Sequence, residues 1–312
     1  MPHRTLRIIS NDVELSLDKE LSKPERNVKI NIRTTAPLLL ERPVESATGD
    51  TRNIYDAIQT ALGVKLVNLV YRHLATVPGA LEWAWGTVGP SFASGIFAER
   101  AAGLSISGNI SSTEIVSFKQ SGLSHVDGDG VVDTLDAYNR ANPMNILSLR
   151  VLEMALEAGR PAISIAPVSA GVRASKAAEP TALLPMGSFD GLPQTTMDIL
   201  NRLASLTTGQ DAGLVPSLFR HFTAWPAFLE ALANWLEPMA EEGLIERQVE
   251  RISAKVDPIA ADIFEQLDRP EKAAILPDEI TRAKLLQTIE IFPPAICRMI
   301  VIGGLLRAAV RP

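Results

Sequence analysis

The sequence predicts an all-α fold in which two repeated helical units pack as an intramolecular pseudo-dimer. The first observation is an internal repeat: residues 66–90 and 214–238 align without a gap at a shift of 148 positions. Eight of the 25 aligned residues are identical, where about two are expected by chance. The other observations are the helical spacing of apolar residues and a proline, Pro78 or Pro226, that interrupts both copies at the same place.

The predicted organisation has four parts. They are an irregular N-terminal extension, a first helical repeat, a proline-rich crossover and a second helical repeat, at residues 1–52, 53–160, 161–193 and 194–312. In the extension, residues 6–9 and 28–32 have the composition of short strands. The crossover is rich in Pro, Ala, Ser and Gly, which is typical of a seam between two copies of a folding unit.

The first repeat is predicted to consist of short helices separated by Pro and Gly. These helices fall at 53–77, 81–88, 92–102, 131–140 and 144–157, with another beginning near Ser111. Apolar residues spaced at i, i+3, i+4 and i+7 define the first helix, and Pro78-Gly79 ends it. Ser111 and Glu114 have the spacing of a capping box, and Asn142-Pro143 is expected to open the helix at 144.

The second repeat is predicted in the same way. Its helices fall at 195–206, 214–225, 227–242, 244–267, 277–289 and 293–310. Leu214, Leu218 and Phe222 form an apolar stripe on one helix face. A break is expected at Pro258, and Pro293-Pro294 is expected to open the last helix, because a proline removes a backbone donor and clashes with the preceding turn.

Residues 125–136 (HVDGDGVVDTLD) are similar to a calcium-binding loop, because their aspartates fall near ligand positions. Two features disagree with that interpretation: His125 stands at the first position, and Asp136 replaces the bidentate Glu at the last. The alternative is a glycine-containing turn whose aspartates cap a helix from 131 to 140. The disagreements favour the cap.

Composition excludes several classes of partner. The chain has 312 residues and a net charge of -6, and no stretch is rich in Lys and Arg, so we expect no nucleic-acid partner. Cys297 is the single cysteine, which precludes an intramolecular disulfide and fits a reducing cytoplasm. The first 20 residues lack an apolar segment, and the apolar run 299–310 is too short to span a bilayer. We therefore expect a cytoplasmic protein with no membrane partner.

Generic catalytic motifs are absent from the sequence, and His3, His73, His125 and His221 do not have metal-ligand spacing. We expect neither a metal nor a cofactor. The repeat-related arginines, Arg72 and Arg220, suit a carboxylate ligand because a guanidinium can bond both carboxylate oxygens. The alternative for these arginines is an ion pair. The repeat-related histidines, His73 and His221, suit a shared site between the repeats, and the alternative for them is structural packing.

Three blocks of sequence resemble the group I 2-haloacid dehalogenases, which act on both D and L substrates. The blocks are residues 54–85, 137–149 and 222–232. The resemblance implies an all-α pseudo-dimer whose active site lies between the repeats and needs no cofactor. It also implies direct hydrolysis, in which an Asp and an Asn hold and activate a water that displaces halide from a small carboxylic acid with inversion, without a covalent ester.

The resemblance assigns site residues individually. The family's catalytic Asn falls on Asn142, and the position of its catalytic Asp, after Ser217, is occupied by Leu218. An aromatic pair of the family's pocket falls on Leu66 and Leu69, so the pocket is expected to be aliphatic. Arg72 is a candidate for the substrate carboxylate. Because leucine accepts no proton, Asp211 and His221 are the candidates for a substitute base.

Three functional hypotheses follow from these assignments. The first is a hydrolytic 2-haloacid dehalogenase with a rearranged base. The second is a different enzyme on the same scaffold, acting on a larger apolar acid, because a fold does not fix a function. The third is a non-catalytic protein that binds a small acid or a macromolecular partner. A homodimer is also compatible with the sequence.

Overall fold

The computed structural model describes residues 39–106, 121–160, 162–163, 183–208, 214–267 and 274–310, all of which belong to one compact unit. The strands expected in the N-terminal extension, the cap expected at Ser111 and most of the proline-rich crossover lie outside these residues.

The all-α prediction is confirmed. The helices are α1 (Gly49–Leu62), α2 (Leu69–Leu74), α3 (Ala80–Ser94), α4 (Ile96–Ala101), α5 (His125–Glu157), α6 (Gln194–Thr208), α7 (Ser217–Arg220), α8 (Pro226–Glu241), α9 (Leu244–Glu265) and α10 (Glu279–Ala309). Single 3-10 turns occur at Val44–Ser46 and Ala102–Leu104. In the described part of the chain, extended pairing is limited to two-residue strands, β1 (Ala162–Ile163) antiparallel to β2 (Ala274–Ile275).

The helix predicted at 53–77 is in fact two helices. Gly63 adopts the left-handed conformation, with φ of 67°, and ends α1. Residues 63–68 then form a link, so Leu66 lies in that link and the stripe expected from 66 to 77 does not lie on one helix. The stripe expected in the second copy is likewise replaced, since α7 is only four residues long. Apolar spacing therefore indicated burial correctly but misplaced the helix.

One helix of 33 residues, α5, replaces the two helices predicted on either side of Asn142. Ser124 caps it: its hydroxyl accepts a hydrogen bond from the Asp127 backbone N–H, and the Asp127 carboxylate accepts one from the Ser124 N–H. Gly128 and Gly130 lie inside the helix. The calcium-loop interpretation is therefore wrong. An aspartate, Asp127, does take part in capping a helix, but the helix begins at His125 and not at 131.

The predicted helix breaks at prolines are also wrong. Pro143 lies inside α5, Pro258 inside α9, and Pro293-Pro294 inside α10. Each helix is held along its length by neighbouring helices, and this packing outweighs the roughly 3 kcal/mol that an internal proline costs. The positions of prolines in the sequence do not reveal how much the packing of neighbouring helices stabilises a helix.

The centre of the molecule is formed by α5 and α10, which pack along each other, with α9 against both. Every residue from 141 to 149 of α5 is buried, as in a helix surrounded by protein. The 31-residue α10 is long and apolar enough to cross a membrane, which corrects the expectation of a short run. However, 67% of its most apolar window is buried inside the protein, as in a core helix of a soluble protein.

The order of helices is similar in the two halves of the chain. A helix, a very short helix and a longer helix occur first as α1–α3 and again as α6–α8, and each half ends in a long helix with an internal proline. Arg72 and Arg220 occupy matching places on the short helices α2 and α7. This order agrees with the sequence repeat, while the two-fold packing of a pseudo-dimer stays a prediction.

Candidate functional site

A small pocket of about 50 Å³ lies where α2, α5, α7 and α10 meet. Its lining is mostly apolar, with a few amide and hydroxyl groups. The lining residues are Asn68, Leu69, Val70, Tyr138, Asn142, Leu214, Pro216, Ser217, Leu218, Phe292, Ala295, Ile296 and Met299. Since one enclosed water requires roughly 10–15 Å³, the pocket suits a ligand of a few non-hydrogen atoms.

Helical spacing explains why these residues face one cavity. Tyr138 and Asn142 are four residues apart on α5 and so lie on one face of that helix. The residues Phe292, Ala295, Ile296 and Met299 follow the i, i+3, i+4, i+7 pattern on α10. The starts of α2 and α7, which are repeat-related, supply most of the remaining wall.

Two buried asparagines form an amide pair at this pocket. The Asn68 Nδ2 group donates to the Asn142 Oδ1 atom at 3.0 Å, and the side chains are only 6% and 5% exposed. The Asn68 Oδ1 atom has no hydrogen-bond partner, and the Asn142 NH2 group has none among the described residues. Since buried polar groups are normally paired, the amide pair offers hydrogen bonds to a bound water or ligand.

Two hydrogen-bonded pairs of polar residues lie along the polar wall. The Arg72 Nη2 group donates to the Ser217 Oγ atom at 2.9 Å, and Ser217 lines the pocket together with Tyr138. The Tyr138 Oη and His221 Nε2 atoms are 3.2 Å apart, while the His221 Nδ1 atom is 2.5 Å from the Leu184 carbonyl oxygen. Because a carbonyl only accepts, Nδ1 carries the proton and Nε2 accepts from Tyr138.

Burial keeps the side chains of Tyr138 and His221 neutral at neutral pH. It raises the pKa of Tyr138 to about 12, although the positive charges of Arg72 and Arg220 oppose the shift. It lowers the pKa of His221 to about 4; the Leu184 carbonyl opposes that shift and the two arginines reinforce it. At neutral pH, His221 is therefore a weak base, and it stands behind Tyr138 and not on the pocket wall.

The two repeat-related arginines bind the same internal carboxylate. The Arg72 Nε group donates to Glu41 at 2.6 Å, and the Arg220 Nη1 group donates to its other oxygen at 2.7 Å. The side chains of Arg72, Arg220 and Glu41 are 2%, 12% and 18% exposed. Both arginines are therefore in ion pairs, which was the alternative to a role in binding a ligand carboxylate. The Arg72 side chain contacts the pocket lining through Ser217.

The structure brings together much of the predicted site. The same pocket is lined by four of the predicted residues, Leu69, Asn142, Ser217 and Leu218. Leu66 is buried but does not line it. Asp211 lies outside the described residues. The functional roles of these residues stay predictions, since position in a pocket does not establish a role.

Sequence reasoning missed several wall and support residues. Tyr138 could have been found, because it lies one helical turn before Asn142. Asn68 and the α10 stripe carried no signal beyond their composition. Glu41 lies in the predicted N-terminal extension, 31 residues from Arg72 and 179 from Arg220 in the sequence. Within the described ranges no group of three or more His, Cys, Asp or Glu side chains could hold a metal ion.

The chain is similar in structure to solved D-2-haloacid dehalogenases. A mutant in complex with D-2-CPA matches with a TM-score of 0.65 and 16% identity over 88% of this chain and 96% of that chain. Another mutant matches with a TM-score of 0.65 and 15% identity, over 87% and 96%. A complex with L-LA matches with a TM-score of 0.60 and 16% identity, over 88% and 97%. No family model and no curated protein matches the sequence. At this identity, the likeness shows a shared fold.

Proposed function

We propose that the protein is a hydrolytic 2-haloacid dehalogenase of group I, which binds a small 2-halocarboxylic acid in the pocket between α2, α5, α7 and α10. The observation that carries the proposal is that Asn142, Ser217 and Leu218 share this pocket in a chain with the fold of D-2-haloacid dehalogenases. The pocket's size fits an acid of a few non-hydrogen atoms. Its aliphatic wall fits the carbon and halogen atoms.

In the proposed reaction, the amide pair Asn68 and Asn142 holds a water beside the carbon that carries the halogen. The water oxygen forms the new C–O bond as the C–halogen bond breaks, and the halide leaves with the bonding electrons. The configuration of that carbon is inverted. The amides orient the water but do not take its proton, so a separate base is needed.

We propose Asp211 as that base. Leu218, at the position expected for the family's Asp, is fully buried and accepts no proton. No carboxylate of the described chain lines the pocket, and His221 is a poor base behind Tyr138. Asp211 precedes Leu214 by three residues, and Leu214 is part of the lining.

Halide release tests the proposed function. The native protein is expected to release chloride from D- and L-2-chloropropionate, and Asn142→Ala is expected to lower kcat about 100-fold, because loss of the orienting amide misplaces the attacking water and a misplaced reactant typically costs that much. Asn139→Ala is the matched control, because Asn139 is on the same helix but does not line the pocket. No chloride at high enzyme concentration, or equal loss in both variants, would contradict the proposal.

Two further variants identify the base. Asp211→Asn is expected to abolish chloride release without changing the melting temperature. Leu218→Asp, which restores a carboxylate to the lining, is expected to recover release in the Asp211→Asn background. If Asp211→Asn retains native activity, the base is another group.

A second candidate function is binding of a small carboxylic acid without turnover. It is favoured by the absence of a carboxylate from the described lining. A rise in melting temperature with 2-chloropropionate, without chloride release by the native protein but with release by Leu218→Asp, would establish binding in place of catalysis.

A further inference from the structure

Hydrogen bonds attach a short segment before α1 to residues of α1 and α2. We call residues 40–42 the strap. The Leu40 carbonyl is 2.8 Å from His73 Nδ1, the Arg42 N–H donates to the Arg72 carbonyl at 2.9 Å, and the Tyr55 hydroxyl donates to the Arg42 carbonyl at 2.9 Å. The backbone of the strap is thereby fixed on both sides of Glu41.

The strap places Glu41 between α2 and α7. Burial of this carboxyl opposes its ionisation, but the charges and hydrogen bonds of Arg72 and Arg220 outweigh burial and hold the pKa of Glu41 below its usual value. The carboxylate therefore stays charged at neutral pH. It connects two helices whose first turns form part of the pocket wall.

The guanidinium of Arg72 is held in one orientation. Its Nε group binds Glu41, its Nη1 group donates to the Val67 carbonyl at 2.7 Å, and its Nη2 group donates to Ser217 at 2.9 Å. Ser217 lines the pocket, so the clamped arginine is one hydroxyl group away from a ligand. A hydroxyl that accepts a hydrogen bond from a cation becomes a stronger donor itself.

The charges behind Ser217 leave a net positive charge. Arg72 and Arg220 contribute two positive charges and Glu41 one negative charge, while none of the lining residues is charged. The field of both arginines reaches the wall, since it acts to lower the pKa of Tyr138 against the larger effect of burial. A ligand with one negative charge would balance this excess.

We infer that the pocket recognises a monoanionic carboxylate indirectly, through Ser217, which Arg72 supports from behind and which the Glu41 strap keeps aligned. On binding, the Ser217 hydroxyl donates its hydrogen to a ligand carboxylate oxygen, while the Arg72 Nη2 group continues to donate to Ser217. Arg72, Glu41 and Arg220 are thus positioning residues. The inference rests on the proposed function only in assuming that the pocket holds an acid.

The discriminating experiment compares 2-chloropropionate with its neutral isostere, 2-chloropropionamide. Dissociation constants at pH 7 are measured by calorimetry for the full chain. The native protein is expected to bind the acid at least about tenfold more tightly than the amide. Ser217→Ala is expected to reduce this acid-to-amide preference about tenfold, while amide binding changes less than about twofold.

Arg220→Gln separates charge from contact, because the contacts described for the Arg220 side chain are with Gly187, Glu41 and Phe189, none of which lines the pocket. This substitution changes the summed charge of Arg72, Glu41 and residue 220 from +1 to 0. It is expected to reduce the acid-to-amide binding preference severalfold. If Arg220→Gln fails to fold, Ser217→Ala still decides the matter. Equal losses for acid and amide, no native preference, or no binding of either ligand would overturn the inference.

Chloride release from the same samples keeps this inference separate from the proposed hydrolysis. Chloride release without an acid preference overturns indirect recognition alone. An acid preference without chloride release supports indirect recognition and overturns hydrolysis alone.

Discussion

His221 shows how one residue can resemble a catalytic base in sequence and have a different role in the fold. Both of its ring nitrogens are bound, Nδ1 to the Leu184 carbonyl and Nε2 to the Tyr138 hydroxyl. Burial lowers its pKa to about 4 from 6.5. The ring therefore connects the segment at Leu184 with α5, and it orients Tyr138 at the pocket.

The histidine gives a prediction on stability against pH. The folded-state pKa lies below the unfolded value, so the unfolded chain binds more protons between these values and stability falls as pH falls. The contribution is complete above pH 6.5 and is lost toward pH 4, up to roughly 3 kcal/mol. Urea unfolding should show that His221→Gln flattens this slope, whereas His125→Gln, an exposed control, keeps it. An unchanged slope in His221→Gln would contradict the role given to burial.

At the scale of the element, the turn after α1 determines where α2 begins. Gly63 has φ of 67°, and its N–H and that of Val64 close the end of α1 on the Thr60 and Gln59 carbonyls. The following link carries Leu66 and leads to Asn68, the residue before α2 and part of the pocket. The turn at Gly63 thus determines where Asn68 and the first residues of α2 lie in the pocket wall.

Gly63→Ala is expected to destabilise the protein by about 1–2 kcal/mol, because a Cβ is unfavourable in the left-handed conformation and would lie 3.3 Å from the Arg140 side chain. Gly103→Ala is the control: it lacks a positive φ, and its nearest neighbour would be 3.9 Å away. Thermal unfolding of both variants provides the comparison. A loss in Gly103→Ala as large as that in Gly63→Ala would argue against the conformational explanation.

At the scale of the whole molecule, Glu41 links distant parts of the chain through two arginines. Removing the charge leaves the nearly buried Arg72 without its counterion, which costs about 3–5 kcal/mol for buried pairs. The stabilisation is complete above the ordinary Glu pKa and is lost as pH falls through the lowered folded-state value.

Glu41→Gln is accordingly expected to lower the free energy of unfolding by roughly 3 kcal/mol at pH 7. Asp56→Asn removes a carboxylate from the exposed Arg52–Asp56 pair, whose side chains are 48% and 53% exposed, and should cost less than about 1 kcal/mol. Denaturant titration distinguishes the two. If both variants lose the same small amount of unfolding free energy, the ion pairs of Glu41 stabilise the fold no more than an exposed ion pair does.

The grouping of three predicted residues around one pocket agrees with the structure better than the predicted helix boundaries do, while the roles of these residues stay predictions. Alignment of the repeat placed Arg72 and Arg220 at equivalent sites, and the resemblance placed Asn142, Ser217 and Leu218 in the pocket that the structure contains. Apolar spacing identified buried residues such as Leu66 and Leu74 correctly, but it placed them on one helix that the structure divides. Local propensity predicts breaks at the prolines, because it does not include the packing that carries α5 and α10 through them.

What the sequence could not supply was the partner of the arginines. The contacts of Glu41 join residues far apart in the chain, and nothing local to Glu41 marks it. Likewise, the neutral state of His221 depends on burial among residues from other helices. Such properties arise from tertiary packing, so a pattern within one segment does not predict them.

The measurement that tests the central claim most directly is a single turnover of D-2-chloropropionate in H2¹⁸O with enzyme in excess. Direct attack by water predicts L-lactate that carries ¹⁸O from the first turnover. Lactate of retained configuration, or lactate that acquires its oxygen from the protein in that turnover, would contradict direct displacement. A complete absence of lactate would contradict the proposed catalytic function.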